Sequence, residues 1–252
     1  MPSPALTPTA PDAALPLPPE VYRADGLDRS RPGLPTGHAR LDVELPGGGW
    51  ALGGLNEILL EHPGALEWRL LTPLLGGIKR SDNSKPLLLI QPPHEPHLPG
   101  LSVGPLLWIQ PTSPQQALWA TEQAIRSGDG GAVLAWLPNL RDARPEQIRR
   151  LQTHALASHV PIFLFRPKAA AAQSSAAPLR LVLRACGPWQ IEAHILKRRG
   201  PAHEGWLALD ATPPQLEALL TPRMRAARFP SRPVVHHHVL ARPAAAAHVA
   251  EH

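Results

Sequence analysis

The chain has little of what usually announces a function. One cysteine, Cys186, stands among 252 residues, which excludes a disulfide framework and a cysteine-built zinc site. No apolar run approaches the roughly 18 residues of a membrane-crossing helix. The first residues are proline-rich and hold no basic segment ahead of an apolar one, so no secretory signal is expected. Charge is sparse at 18%, with 25 Lys and Arg against 20 Asp and Glu. A net charge of +5 suits nucleic acid or an acidic partner and demands neither. The expectation is a soluble, cytoplasmic protein.

Proline and glycine are plentiful instead, 33 and 19 residues, more than a compact domain normally carries. Seven of the prolines fall in residues 1–19. Each fixes φ and removes a donor, so the predicted organisation begins with a flexible arm, 1–30. A core follows over 31–210, then a basic, Ala- and Pro-rich tail over 211–252. Both tails are expected to be disordered.

Within the core, short apolar runs occupy 54–60, 87–90, 106–109, 132–137 and 160–165. Most are continuous, the pattern of strands covered on both faces. After a small-residue linker, 169–178, the runs 179–184 and 190–196 alternate, as an antiparallel pair at a sheet edge would. Ser113 and Pro114 start a helix that Gly128 ends. Ala117, Leu118, Thr121, Ala124 and Ile125 share its inner face, with Gln115, Glu122 and Arg126 toward water. A second helix from Pro145 buries Ile148, Leu151 and Ala155. A third, after Gly64, carries Leu66, Leu70 and Leu74 and should kink or end at Pro73. The order β-α-β-β-α-β-α-β-ββ predicts an α/β fold, a mostly parallel sheet flanked by helices.

Three stretches in order, Leu34-Pro35-Thr36-Gly37 through Leu41-Asp42, Leu45-Pro46-Gly47-Gly48-Gly49-Trp50, and Gly53-Gly54-Leu55-Asn56-Glu57-Ile58, resemble the entry into a RecA-type recombinase core. Residues 116–137 and Ile195-Leu196-Lys197-Arg198-Arg199-Gly200-Pro201 continue the likeness. Within that superfamily the chain resembles the ImuA family of translesion-synthesis proteins, RecA-like and related to SulA-type cell-division inhibitors; Pro-Gly-Gly-Gly-Trp, Ala135-Trp136-Leu137-Pro138 and Lys197-Arg198-Arg199 carry that closer match. The resemblance implies an accessory of error-prone repair under the SOS response to DNA damage. Its partners would be the polymerase-like protein ImuB and an error-prone replicative-type polymerase, with RecA as a further candidate.

A working nucleotide site would need a glycine-rich loop followed by Lys and Ser or Thr. After the first strand this chain has His62-Pro63-Gly64-Ala65-Leu66-Glu67-Trp68 instead. Pro63 removes an amide, and Glu61 and Glu67 put negative charge where phosphates would lie. Glu67, in the first turn of its helix, suits the helix dipole. Residues 132–138 offer no acid for magnesium. Glu95 stands near the position of the family's water-activating glutamate, with nothing to activate. The site reads as degenerate: no ATPase, no cofactor.

Gly47-Gly48-Gly49 reads as a turn, since no Lys-Ser/Thr follows. His94 and His97 lack a third metal ligand, and no serine sits in a nucleophile elbow. His236-His237-His238 reads as a tail segment. Lys197, Arg198 and Arg199 are candidates for DNA phosphate or an acidic partner, or else form a solvated strand end. Arg223, Arg225, Arg228 and Arg232, beside Met224 and Phe229, form an acid-free basic and apolar stretch suited to a partner or a phosphate backbone. Trp108 and Trp136 are expected in the core, while Trp119 sits where it could anchor a partner. Residues 166–178 lack the glycine-rich character of a DNA-binding loop, so strong single-strand binding is not expected. The expected function is a non-catalytic accessory in translesion synthesis; the alternative is a SulA-type division inhibitor.

Overall fold

The computed structural model describes residues 32–80, 85–95, 104–137 and 143–224. The predicted arm over 1–30, His97, Arg225, Arg228, Phe229, Arg232 and the histidines 236–238 lie outside these. The chain divides into two compact units between Pro213 and Pro214.

In the first unit, one sheet carries eight strands: β1 (Leu55–Leu60), β2 (Leu87–Ile90), β3 (Leu106–Ile109), β4 (Ala132–Trp136), β5 (Ile162–Pro167), β6 (Leu179–Ala185), β7 (Gln190–Lys197) and β8 (Leu207–Asp210). Their spatial order is β3-β2-β4-β5-β1-β6-β7-β8. All pairings from β3 to β6 are parallel. The β6–β7 and β7–β8 pairings are antiparallel. The α/β architecture and the mostly parallel sheet are therefore as the patterning predicts. The antiparallel pair is not the edge, because β8 adds a further strand outside it.

Helices α1 (Ala39–Glu44), α2 (Leu66–Arg80), α3 (Pro114–Ser127) and α4 (Pro145–Ala155) complete the unit. Alternation along the central strands feeds two cores. Ile58, Leu60, Leu89, Leu134, Trp136, Phe163 and Phe165 join Leu41 of α1 and Leu70, Leu71, Leu74 and Leu75 of α2. On the other side, Leu88, Ile90, Val133, Ala135, Ile162 and Leu164 join Ala117, Ala124 and Ile125 of α3 and Ile148 and Leu151 of α4. A strand buried on both faces needs apolar residues at every position, hence the continuous runs. In β7 only every second residue is buried, which marks a sheet end with one bare face.

Helix α3 starts and stops as expected. The Ser113 hydroxyl accepts from the Gln116 amide, Pro114 opens the first turn, and Gly128 closes it at φ 66. Three local expectations are corrected. Helix α2 continues past Pro73 to Arg80. The burial of Leu70, Leu71, Leu74 and Leu75 on both sides of the proline outweighs its missing hydrogen bond. The proline ring also packs so closely on Gly37, at φ +83, that a Cβ there would lie 2.2 Å from the Pro73 Cβ. Glu122 does not face water; it is buried between α3 and α4. Residues 169–178 are no passive linker, because a 3-10 turn over Lys168–Ala172 seats Ala170 against Leu59 and Val182.

The second unit begins with α5 (Pro214–Glu217), a single helical turn.

Candidate functional site at the carboxyl ends of the strands

Open α/β sheets take ligands beyond the carboxyl ends of their strands. Here β1 runs into the loop 61–65 and the start of α2. Gly64 holds φ +118, and a Cβ on it would come within 2.6 Å of the His94 ring. Glu67 is wholly buried in the first turn of α2. Its Oε1 accepts from the Gly64 amide. The same oxygen accepts from the Trp136 indole Nε1–H at 2.8 Å. Helix N-termini attract anions through their free amides and dipole. In this chain the helix supplies that anion from its own first turn.

Trp136, at the end of β4, packs its ring on Phe165 of β5 at 4.6 Å between centroids and on Trp68 of α2 at 5.5 Å. The indole and Phe165 form part of the wall of a cavity of about 350 Å³, shared with Pro63, Gln91, Pro92 and Arg166. Gln91, just past β2, has φ 56, the sole non-glycine residue with positive φ among those described. At its rim Glu61 pairs with Lys168 at 2.9 Å, and that hydrogen bond pulls the Glu61 carboxyl below the usual range.

Beneath the 168–172 turn lies a buried charge cluster. Glu57 of β1 is fully buried. Its Oε1 accepts from Arg166 of β5, and its Oε2 from Arg180 of β6, each at 2.7 Å. The three strands are neighbours in the sheet, so residues far apart in the chain meet across two parallel registers. Arg166 also donates to the Ala143 carbonyl at 2.9 Å and the Gln173 side-chain oxygen at 2.7 Å. Arg180 donates to the carbonyls of Ala170 at 2.8 Å and Gln173 at 3.1 Å. The cluster thus staples the 168–173 segment to the sheet. Two guanidinium groups share one carboxylate, leaving one positive charge in excess, and the Arg166 Nε has no partner.

The basic candidates at the end of β7 do not form one patch. Lys197 is exposed and donates to the Ser175 carbonyl at 2.8 Å. Partial burial, and then the nearby Arg180 charge, lower its pKa. Arg198 turns inward, bonded to Glu44 at 2.7 Å and to the Pro201 carbonyl at 2.8 Å. Arg199 borders a small hollow with Gly53 and Pro178. Arg223 is exposed in the second unit.

Trp119 is 62% exposed on α3, above a shallow hollow that it shares with Leu118, Glu122 and Arg150. Glu122 pairs with Arg150 and, at 3.1 Å, with His154 of α4. The Arg150 hydrogen bond holds its carboxyl below the usual range. Trp136 is buried as expected, whereas Trp108 on the edge strand β3 is only half-buried.

Sequence reading overlooked Glu57, Arg166, Arg180 and Gln91. The first three carried a signal, since each is a charge within or directly after an apolar strand run. Gln91 carried none, because a left-handed glutamine cannot be read from its neighbours. Also unforeseen is a stack on the bare face of the antiparallel strands, with Arg184 3.9 Å above the Trp206 ring and His194 5.3 Å from it. Among the described residues no group of three His, Cys, Asp or Glu could hold a metal ion. No protein-family model matches the chain, and no curated protein matches it either.

Proposed function

We propose that this protein is a catalytically silent, RecA-like accessory of damage-induced translesion synthesis, bridging an ImuB-type polymerase-like partner and an error-prone replicative-type polymerase. The observation that carries the silent reading is Glu67, whose buried carboxylate takes the Gly64 amide and closes the loop where phosphate would bind. Pro63 removes a second amide from that loop, and no lysine or hydroxyl stands from 62 to 68 to hold phosphate or magnesium. The eight-stranded, mostly parallel sheet is consistent with a RecA-like core. The accessory role itself rests on the ordered likeness over 31–210.

Bridging falls to the exposed Trp119, Lys197 and Arg223, to the half-buried Arg199, and to the basic and apolar stretch of sequence with Arg225, Arg228, Phe229 and Arg232. Two experiments test the reading. Purified protein should show no DNA-stimulated ATP hydrolysis; turnover would overturn it. Tagged protein drawn from DNA-damaged cells should bring the error-prone polymerases with it, and Trp119→Ala should weaken that capture while leaving the unfolding midpoint unchanged. Recovery of the tubulin-like division protein in their place would favour the SulA-type alternative.

A further inference from the structure

Helices α3 and α4 pack on the same side of the sheet, and the seam between them opens to the surface. Gln115, Trp119, Glu122 and Arg126 recur on α3 at helical spacing, so they share one side of it. Gln147, Arg150 and His154 do the same on α4. The two stripes face each other, because Glu122 is held by Arg150 and, at 3.1 Å, by His154. From Gln115 to Arg126 the seam runs about 16 Å, three helical turns. Within it lies a hollow of about 140 Å³, bordered by Gln115, Leu118, Trp119, Gln147 and Arg150. It has room for one bulky side chain.

The groups around the hollow are presented to solvent. Trp119 is 62% exposed, and the Arg150 side chain is 65% exposed. Gln115 and Arg126 are exposed, and Leu118 and Gln147 are half-buried. An exposed apolar residue alone means little. Here it borders an open hollow beside two arginines, and tryptophan with arginine is the composition that concentrates binding energy at protein interfaces.

Charge selects the occupant. The carboxylate in the seam, Glu122, is buried and already engaged by Arg150 and His154. Over both helices and the cap residue of α4, Arg126, Arg144, Arg149 and Arg150 stand against Glu122 and Glu146. This positive excess opposes a second copy of the same surface and attracts an acidic one. A nucleic-acid strand would call for a track of cations and successive aromatic platforms. The seam instead offers one tryptophan over a carboxylate. Its length and single hollow suit a helix laid in a groove.

We propose that the α3–α4 seam docks an acidic amphipathic helix of a partner protein, with a bulky apolar residue in the hollow against Trp119 and carboxylates on Arg126 and Arg150. This deepens the bridging role proposed above and rests on it for which protein carries the helix, not for the chemistry of the helix.

Selection on the full chain from a displayed library of three-turn helices, randomised on their surface, tests it. The enriched helices should be net acidic and carry a Leu, Phe or Trp anchor. As a labelled free peptide, the dominant helix should bind the parent at least about tenfold more tightly than it binds Trp119→Ala or Arg126→Glu. Its glutamine-for-glutamate form should lose a similar factor on the parent. Arg40→Glu, on α1 at the opposite face of the sheet, should change nothing. Unfolding midpoints of these variants should match the parent's. The proposal is overturned if no helix is enriched, if the enriched helices are neutral or basic, or if Trp119→Ala binds as tightly as the parent. Displacement of the peptide by oligothymidylate, or a parent dimer that Trp119→Ala disperses, would overturn it too. If the helix binds at Trp119 but no polymerase is captured from damaged cells, the bridging reading fails and the docking site stands. If the polymerases are captured and no helix is enriched, the reverse holds.

Discussion

The Trp136 indole N–H donates to the Glu67 carboxylate at 2.8 Å across 69 residues of sequence, tying the end of β4 to the first turn of α2. One side chain thereby joins a strand end, a helix N-terminus and the loop that enters it. All of these connections are made by the chain's own groups.

Replacing Glu67 separates its two roles. Glu67→Gln keeps an oxygen for Gly64 and Trp136, and it places the amide nitrogen where Oε2 lacks a partner. Its stability should stay within about 1 kcal/mol of the parent. Glu67→Ala strands both donors and opens a void, and should cost about 2–4 kcal/mol. Urea unfolding checks both, and neither variant should gain ATP binding.

The Glu57 cluster should be the least forgiving place in the sheet. Glu57→Gln leaves two buried guanidinium groups without a counter-charge and should destabilise by about 3–5 kcal/mol. Replacing Glu57, Arg166 and Arg180 together by apolar residues of similar volume should cost much less, because no charge then stays buried alone. Denaturant midpoints for the single and triple variants decide this. A single variant milder than the triple would refute it.

His38 predicts a pH dependence. Burial pushes its pKa below 6.5, and the Leu70 carbonyl and the Asp42 and Asp210 carboxylates oppose that only in part. The unfolded chain takes up a proton near 6.5 and the folded chain does so only at lower pH. Between those two values the unfolded state binds more protons, so stability falls as the pH drops through this window. His38→Gln, which can still donate to the Leu70 carbonyl, should flatten the slope below pH 6.5 in thermal unfolding.

Gln91→Gly should relieve the left-handed backbone and stabilise the protein by about 0.5–1 kcal/mol. A loss of stability on calorimetric unfolding would mean that the glutamine side chain contributes more than its backbone costs.

Composition and period alone determined seven of the eight strands, the three longer helices and their order; β8 was not foreseen. Burial on both faces demands apolar residues at successive positions, and Ser113-Pro114 and Gly128 bound a helix through purely local chemistry. Tertiary structure overruled local rules at Pro73 and Glu122. In one case leucine burial outweighs a lost hydrogen bond; in the other a helix packed alongside supplies Arg150 and His154. The strand order decided the rest. Glu57, Arg166 and Arg180 meet because β5, β1 and β6 are neighbours in space, and Glu67 reaches Trp136 because the first turn of α2 lies beside the end of β4. Adjacency of that kind arises from long-range pairing, and no local window of residues encodes it.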